Sequence, residues 1–124
     1  MNEAIFKHLV EREYNAVIEQ CPDYPYSLET VTNIFLYFFS VYQSRFGDEH
    51  PNLKLEHIRK IIAAMPYVTD LRGGSASEME LDDGIYFDVI DQYFDTEFRN
   101  CDYRISHFFS GNIRILRIYE LGYF

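Results

Sequence analysis

Apolar and polar positions along this chain recur with helical spacing rather than with strand alternation. From Glu3 to Gln20 the residues Phe6, Leu9, Val10, Tyr14, Val17 and Ile18 repeat at i, i+3 and i+4, which leaves Glu3, Glu11, Arg12 and Glu19 opposite. That spacing predicts an amphipathic helix. Pro22 ends it, since proline restricts the residue before it and cannot continue the ladder. After the stiff PDYPY connector, Ser27 stands at an N-cap position, with Glu29 in the first turn. Leu28, Val31, Ile34, Phe35, Phe38, Phe39, Tyr42 and Phe46 mark a second, broader stripe that Gly47 closes.

A loop over 48–52 leads to a third helix over 53–65. It carries Leu55, Ile58, Ile61, Ile62 and Met65 on one face and Lys54, Glu56, Arg59 and Lys60 on the other, and Pro66 closes it. A helix-turn-helix would begin this way, but the connector is long and acidic and no basic recognition helix follows directly. Antiparallel packing is the expectation. The stretch 69–84 (TDLRGGSASEMELDDG) reads as a long exposed acidic loop. A fourth helix is expected over 85–98, with Ile85, Val89, Ile90, Tyr93, Phe94 and Phe98 inward; Asp88, Asp91 and Asp95, at i, i+3 and i+7, share its polar face.

Two readings compete for the C-terminal stretch. Ile105, Phe108, Phe109, Ile113 and Leu116 fit a fifth helix, which Gly111 weakens by about 1 kcal/mol. The segment IRILRIY, 113–119, is rich in β-branched residues and fits a strand. The helix is favoured, because a lone strand finds no partner in a chain with few other strand signals. The expected fold is mostly α: one domain over 1–124, a bundle of about five helices with a long acidic loop between helices 3 and 4. The alternative is α+β with a C-terminal strand near 113–119.

Composition adds material to that picture. Hydrophobic residues make up 48% of the 124 positions, with 11 Phe and 11 Tyr, ample for a packed core. So many rings also leave room for self-association. The first 20 residues lack the apolar run of a signal peptide, and Val31–Tyr42 is too short and polar to span a bilayer. A cytoplasmic setting with Cys21 and Cys101 reduced is the expectation.

Charge changes the picture more. The net charge is −9, and 70–97 alone holds nine acidic residues against Arg72. A field of that sign disfavours nucleic acid and anionic membrane and favours a basic protein partner. Glu78, Glu80, Asp82, Asp83, Asp88, Asp91 and Asp95 form the candidate partner-binding acidic face, whose bland counterpart is a solvated surface. An EF-hand order is missing, so no metal is expected. The alternative face is basic: Arg99, Arg104, Arg114 and Arg117, interleaved with aromatics as on a nucleic-acid surface. Pairing of these arginines with Asp88, Asp91 and Asp95 is the preferred account of them.

Little else suggests chemistry. His8, His50, His57 and His107 fit no zinc spacing, and Gly73-Gly74-Ser75 lacks a phosphate-loop pattern. A Cys101–His107 dyad is formally possible, yet no third group or nucleophile turn accompanies it. The expectation is a small non-enzymatic binding or regulatory protein, without cofactor, that acts through its acidic surface. A specific form of it imitates nucleic-acid charge toward a basic partner.

Overall fold

Three of the helices start on a side chain that satisfies an orphan amide. The computed structural model describes residues 2–66, 68–69, 78–79 and 82–123. Helix α1 (Glu3–Gln20) opens on Asn2, whose Oδ1 accepts from the Ile5 amide at 3.2 Å. Helix α2 (Leu28–Phe46) opens on Ser27, which accepts from the Thr30 amide at 3.1 Å, and closes on Gly47 at φ 75°. That left-handed conformation favours glycine. Helix α3 spans Leu55–Ala64 and helix α4 spans Asp83–Phe94. Between them the backbone pairs Val68 with Met79 and Thr69 with Glu78, antiparallel, as β1 (Val68–Thr69) and β2 (Glu78–Met79). The expected uninterrupted loop therefore holds a short ladder, and its end, Asp82 to Gly84, belongs to the start of α4; 70–77 and 80–81, Gly73-Gly74 included, lie outside the described residues.

The C-terminal part is helical, so the strand alternative at 113–119 is set aside. It is not one helix, however. Helix α5 (Ile105–Phe108) and helix α6 (Ile113–Glu120) are separated by a turn in which Gly111 takes φ 48°. The break resets the helical phase: Arg114, Ile115, Arg117 and Ile118 face inward, while Leu116, expected in the apolar stripe, is 43% exposed. Helix α4 also differs from expectation. It begins earlier, on Asp82, and ends at Phe94, so Asp95 and Phe98 lie beyond it.

Packing follows the apolar stripes. Helix α1 lies mainly against α3, α2 against α4, and α4 against α6. The buried side chains form one cluster running from Phe6 through Phe35, Phe38, Tyr86 and Tyr93 to Phe108 and Ile118. Phe38 lies at its aromatic centre, with ring centroids 4.9 Å from Phe94, 5.5 Å from Phe108 and 5.9 Å from Tyr93. Edge and tilted contacts of this kind add to what area burial alone contributes.

Several polar groups sit inside this core, each with a partner. Glu13 of α1 is 3% exposed and meets Arg59 of α3, whose Nη2 and Nε lie 3.0 and 3.1 Å from its Oε1. The spacing expects Arg59 on the polar face of its helix and assigns Glu13 no role. Tyr24 donates to the Ile62 carbonyl and Tyr86 to the Met65 carbonyl. Arg114 Nη1 reaches the Ala64 carbonyl at 3.2 Å and the Tyr86 hydroxyl. The last turn of α3 is thus capped by side chains from three other parts of the chain, which meets the need of a helix C-terminus for donors and positive charge. Burial pushes the Tyr86 pKa up to about 12, against the pull of Arg114, so this hydroxyl remains a donor.

His50, in the loop after α2, is 3% exposed. The Ile105 amide donates to its Nε2 at 3.0 Å, so the ring proton sits on Nδ1, 2.8 Å from the Pro51 carbonyl. The ring also lies 4.7 Å from Phe39 and 4.9 Å from Tyr42. Burial lowers its pKa, and the nearby Arg104 charge acts in the same direction.

Candidate functional site

The acidic face is built on α4 by helical geometry. Asp88, Asp91 and Asp95 are all exposed, on the side opposite Val89, Ile90 and Tyr93. Each carboxylate receives one donor from a distant part of the chain. Tyr123 donates to Asp88 at 2.8 Å, Tyr37 of α2 donates to Asp91 at 2.6 Å, and Arg45 at the end of α2 pairs with Asp95. Tyr37 also stacks on Phe87, with centroids 4.3 Å apart. Its pKa rises to about 12 through burial first, then through the hydrogen bond and the charges of Asp91 and Asp88. The Tyr123 pKa is raised chiefly by its hydrogen bond to Asp88. Both hydroxyls therefore stay protonated at neutral pH and hold the carboxylates in place.

The remaining acidic candidates are placed less uniformly. Asp82 is the N-cap of α4, its Oδ1 accepting from the Ile85 amide at 2.7 Å, and Asp83 stands in the first turn. Both meet the positive end of the helix. Glu78 belongs to β2 by its backbone, and Glu80 lies outside the described residues.

The basic alternative does not form one face. Arg99 and Arg104 are exposed, whereas Arg114 and Arg117 are 7% and 6% exposed. Arg114 caps α3 and lies 4.8 Å from the Phe109 ring centroid. Arg117 lies over Phe98 and donates from Nη2 to Glu120 at 3.0 Å. Its Nε is 2.9 Å from the second Glu120 oxygen, near enough for an ion pair but out of line for a hydrogen bond. The expected pairing of the four arginines with Asp88, Asp91 and Asp95 is replaced by these contacts. The reason is reach: a long guanidinium stem can bury its methylenes and still find carbonyls, while donors from α2 and the C-terminus arrive at the aspartates first.

Sequence spacing left Cys101 and His107 without a third group, and the structure brings them together. Cys101 Sγ is 3.3 Å from His107 Nδ1, which also lies 2.8 Å from the Tyr93 hydroxyl. The Tyr103 amide donates to the same sulfur at 3.2 Å. Burial raises the Tyr93 pKa first of all, and the contact with Cys101 Sγ at 3.8 Å acts in the same direction, so its hydroxyl keeps its proton. Asn100 and Tyr103 on either side of Cys101 both take left-handed conformations, φ 51° and 55°. That is unusual for a bulky residue such as Tyr103. Its hydroxyl, which donates to the Thr96 carbonyl at 2.7 Å and accepts from the Phe98 amide at 3.0 Å, pins it there.

Among the described residues no group of three or more His, Cys, Asp or Glu is disposed to hold a metal ion, and no helix is long and apolar enough to cross a membrane. No protein-family model, curated protein or solved structure matches this chain.

Proposed function

We propose that this protein is a non-enzymatic binding or regulatory protein that engages a basic protein partner through the outer face of α4. The observation that carries the reading is the row Asp88, Asp91 and Asp95: exposed, two on the outer face of α4 and the third at its C-cap, and each held by a tether. A row fixed in this way presents charge without first losing side-chain freedom, and that lowers the entropic cost of binding. Along the helix axis the backbone positions of Asp88 and Asp91 rise by about 4.5 Å, from 1.5 Å per residue, and Asp95 follows at the C-cap. Spacing of that order suits a partner groove that otherwise tracks phosphates. The net charge of −9 would speed encounter with such a partner and repel nucleic acid itself.

The test compares wild type with the triple variant Asp88→Asn, Asp91→Asn, Asp95→Asn. Partners captured from native lysate should be released by raised salt and lost by the triple variant, and a nucleic acid that shares the partner should compete. Capture that ignores salt, or survives the triple substitution, refutes the reading.

A further inference from the structure

The Cys101–His107 pair opens onto a pocket of about 330 Å³ that is also lined by Arg99, Asp102 and Arg104. Three independent features coincide there. An imidazole stands in line to take the thiol proton, a backbone amide points at the sulfur, and two exposed arginines outnumber the one carboxylate at the mouth. Thiols beside an imidazole and positive charge are the ones that react, whereas thiols in apolar surroundings stay inert. The molecule holds its own comparison. Cys21, at the end of α1, is half-buried against the core, and its sulfur has no hydrogen-bond partner among the described residues.

We propose that Cys101 is a reactive thiol, primed by His107, and that its pocket takes small disulfides bearing carboxylates, of the glutathione type. The step is thiol–disulfide exchange. The Cys101 sulfur attacks one sulfur of the incoming disulfide as its proton passes to His107 Nδ1. A new S–S bond forms to one half, the old S–S bond breaks, and the other half leaves as a thiolate that recovers the proton from His107. Cys101 is oxidised and the small disulfide is reduced, with no further reagent. Arg99 and Arg104 supply the counter-charge for the carboxylates. Tyr93, held protonated, can turn its hydrogen to the sulfur, 3.8 Å away, and accept from Nδ1–H once that nitrogen has taken the thiol proton. This site shares no residue with the α4 aspartates, so it stands or falls separately from the partner-binding reading.

The experiment incubates the full chain with glutathione disulfide at neutral pH and follows each cysteine by peptide mass spectrometry. Cys101 should gain a glutathionyl group about tenfold or more faster than Cys21, by analogy with other imidazole-paired thiols. That preference should vanish when the same protein is unfolded in urea, a control that needs no variant. His107→Gln should bring Cys101 down to the Cys21 rate. Replacing both arginines, Arg99→Gln with Arg104→Gln, should slow glutathione disulfide but leave the uncharged hydroxyethyl disulfide unaffected. Equal rates at the two cysteines of the folded protein overturn the proposal, as does a preference that survives unfolding. An arginine variant that treats both disulfides alike overturns the anion selectivity.

Discussion

Helices α4 and α6 pack against each other, yet they dispose of their charges in opposite ways. On α4 and its C-cap the aspartates Asp88, Asp91 and Asp95 stand outside; on α6 Arg114 and Arg117 are turned in, and Leu116 is left facing water. Side-chain length explains the inversion. An aspartate carries its charge one methylene from the backbone and cannot be buried without burying the charge. Arginine lays three methylenes over the core and extends its head to the first acceptors it meets. For Arg114 these are the carbonyls at the end of α3. Polar spacing along a helix therefore locates the solvent side more safely for short acids than for long bases.

That comparison breaks first at Arg114. Arg114→Met keeps much of the volume but removes the donor to the Ala64 carbonyl and to the Tyr86 oxygen. It should cost about 1–3 kcal/mol, the range for stranding buried acceptors. Urea unfolding of the variant measures this; a loss under 1 kcal/mol would mean the inward arginine is only packed, not needed. Glu13→Ala comes next. Its carboxylate is buried, but its partner Arg59 is 54% exposed and can return to water, so the expected loss is about 1–2 kcal/mol after that screening.

His50 gives the third effect, read through pH. Its folded pKa is lowered, so the neutral ring is favoured in the fold while the unfolded chain takes a proton first. Stability is then full above the unfolded value of about 6.5 and is lost as pH falls from there toward the folded value. Urea midpoints collected across that window should fall with pH, and His50→Gln should flatten the slope. A slope unchanged in His50→Gln would assign the pH dependence to other groups. The smallest change is reserved for the outside of α4. Replacing Asp88, Asp91 and Asp95 by Asn should shift stability by under about 1 kcal/mol, as for exposed pairs, even while it abolishes partner capture. A large loss would place those carboxylates among the structural groups and remove them from the binding account.

Much of the fold was legible because its first four helices carry strong stripes, and α2 is bounded by explicit caps, Ser27 and Gly47. What stayed hidden depends on contacts between distant segments. No local pattern says that Glu13 meets Arg59, 46 residues away, or that His50 in a polar loop is drawn in by Phe39, Tyr42 and the Ile105 amide. The phase of α6 was misjudged for a local reason. Reading one helix through Gly111 carried the stripe onto Leu116, whereas the turn there restarts it on Ile115 and Ile118. Of the site, the α4 aspartates follow from spacing alone. The tethers from Tyr37, Arg45 and Tyr123 do not, and neither does the left-handed bend that sets Cys101 against His107.

The capped end of α3 has a consequence for how the molecule opens. Carbonyls in its last turn are held from Tyr24 before α2, Tyr86 of α4 and Arg114 of α6, across sequence separations of 38, 21 and 50 residues. Ordinary helix ends fray and exchange their amide hydrogens through local openings, at little free-energy cost. This end cannot fray until three other segments let go. The amides of Ile61, Ile62 and Met65 should therefore exchange only through global unfolding and report the stability of the whole chain, while those at the start of α1 report nothing beyond their own first turn.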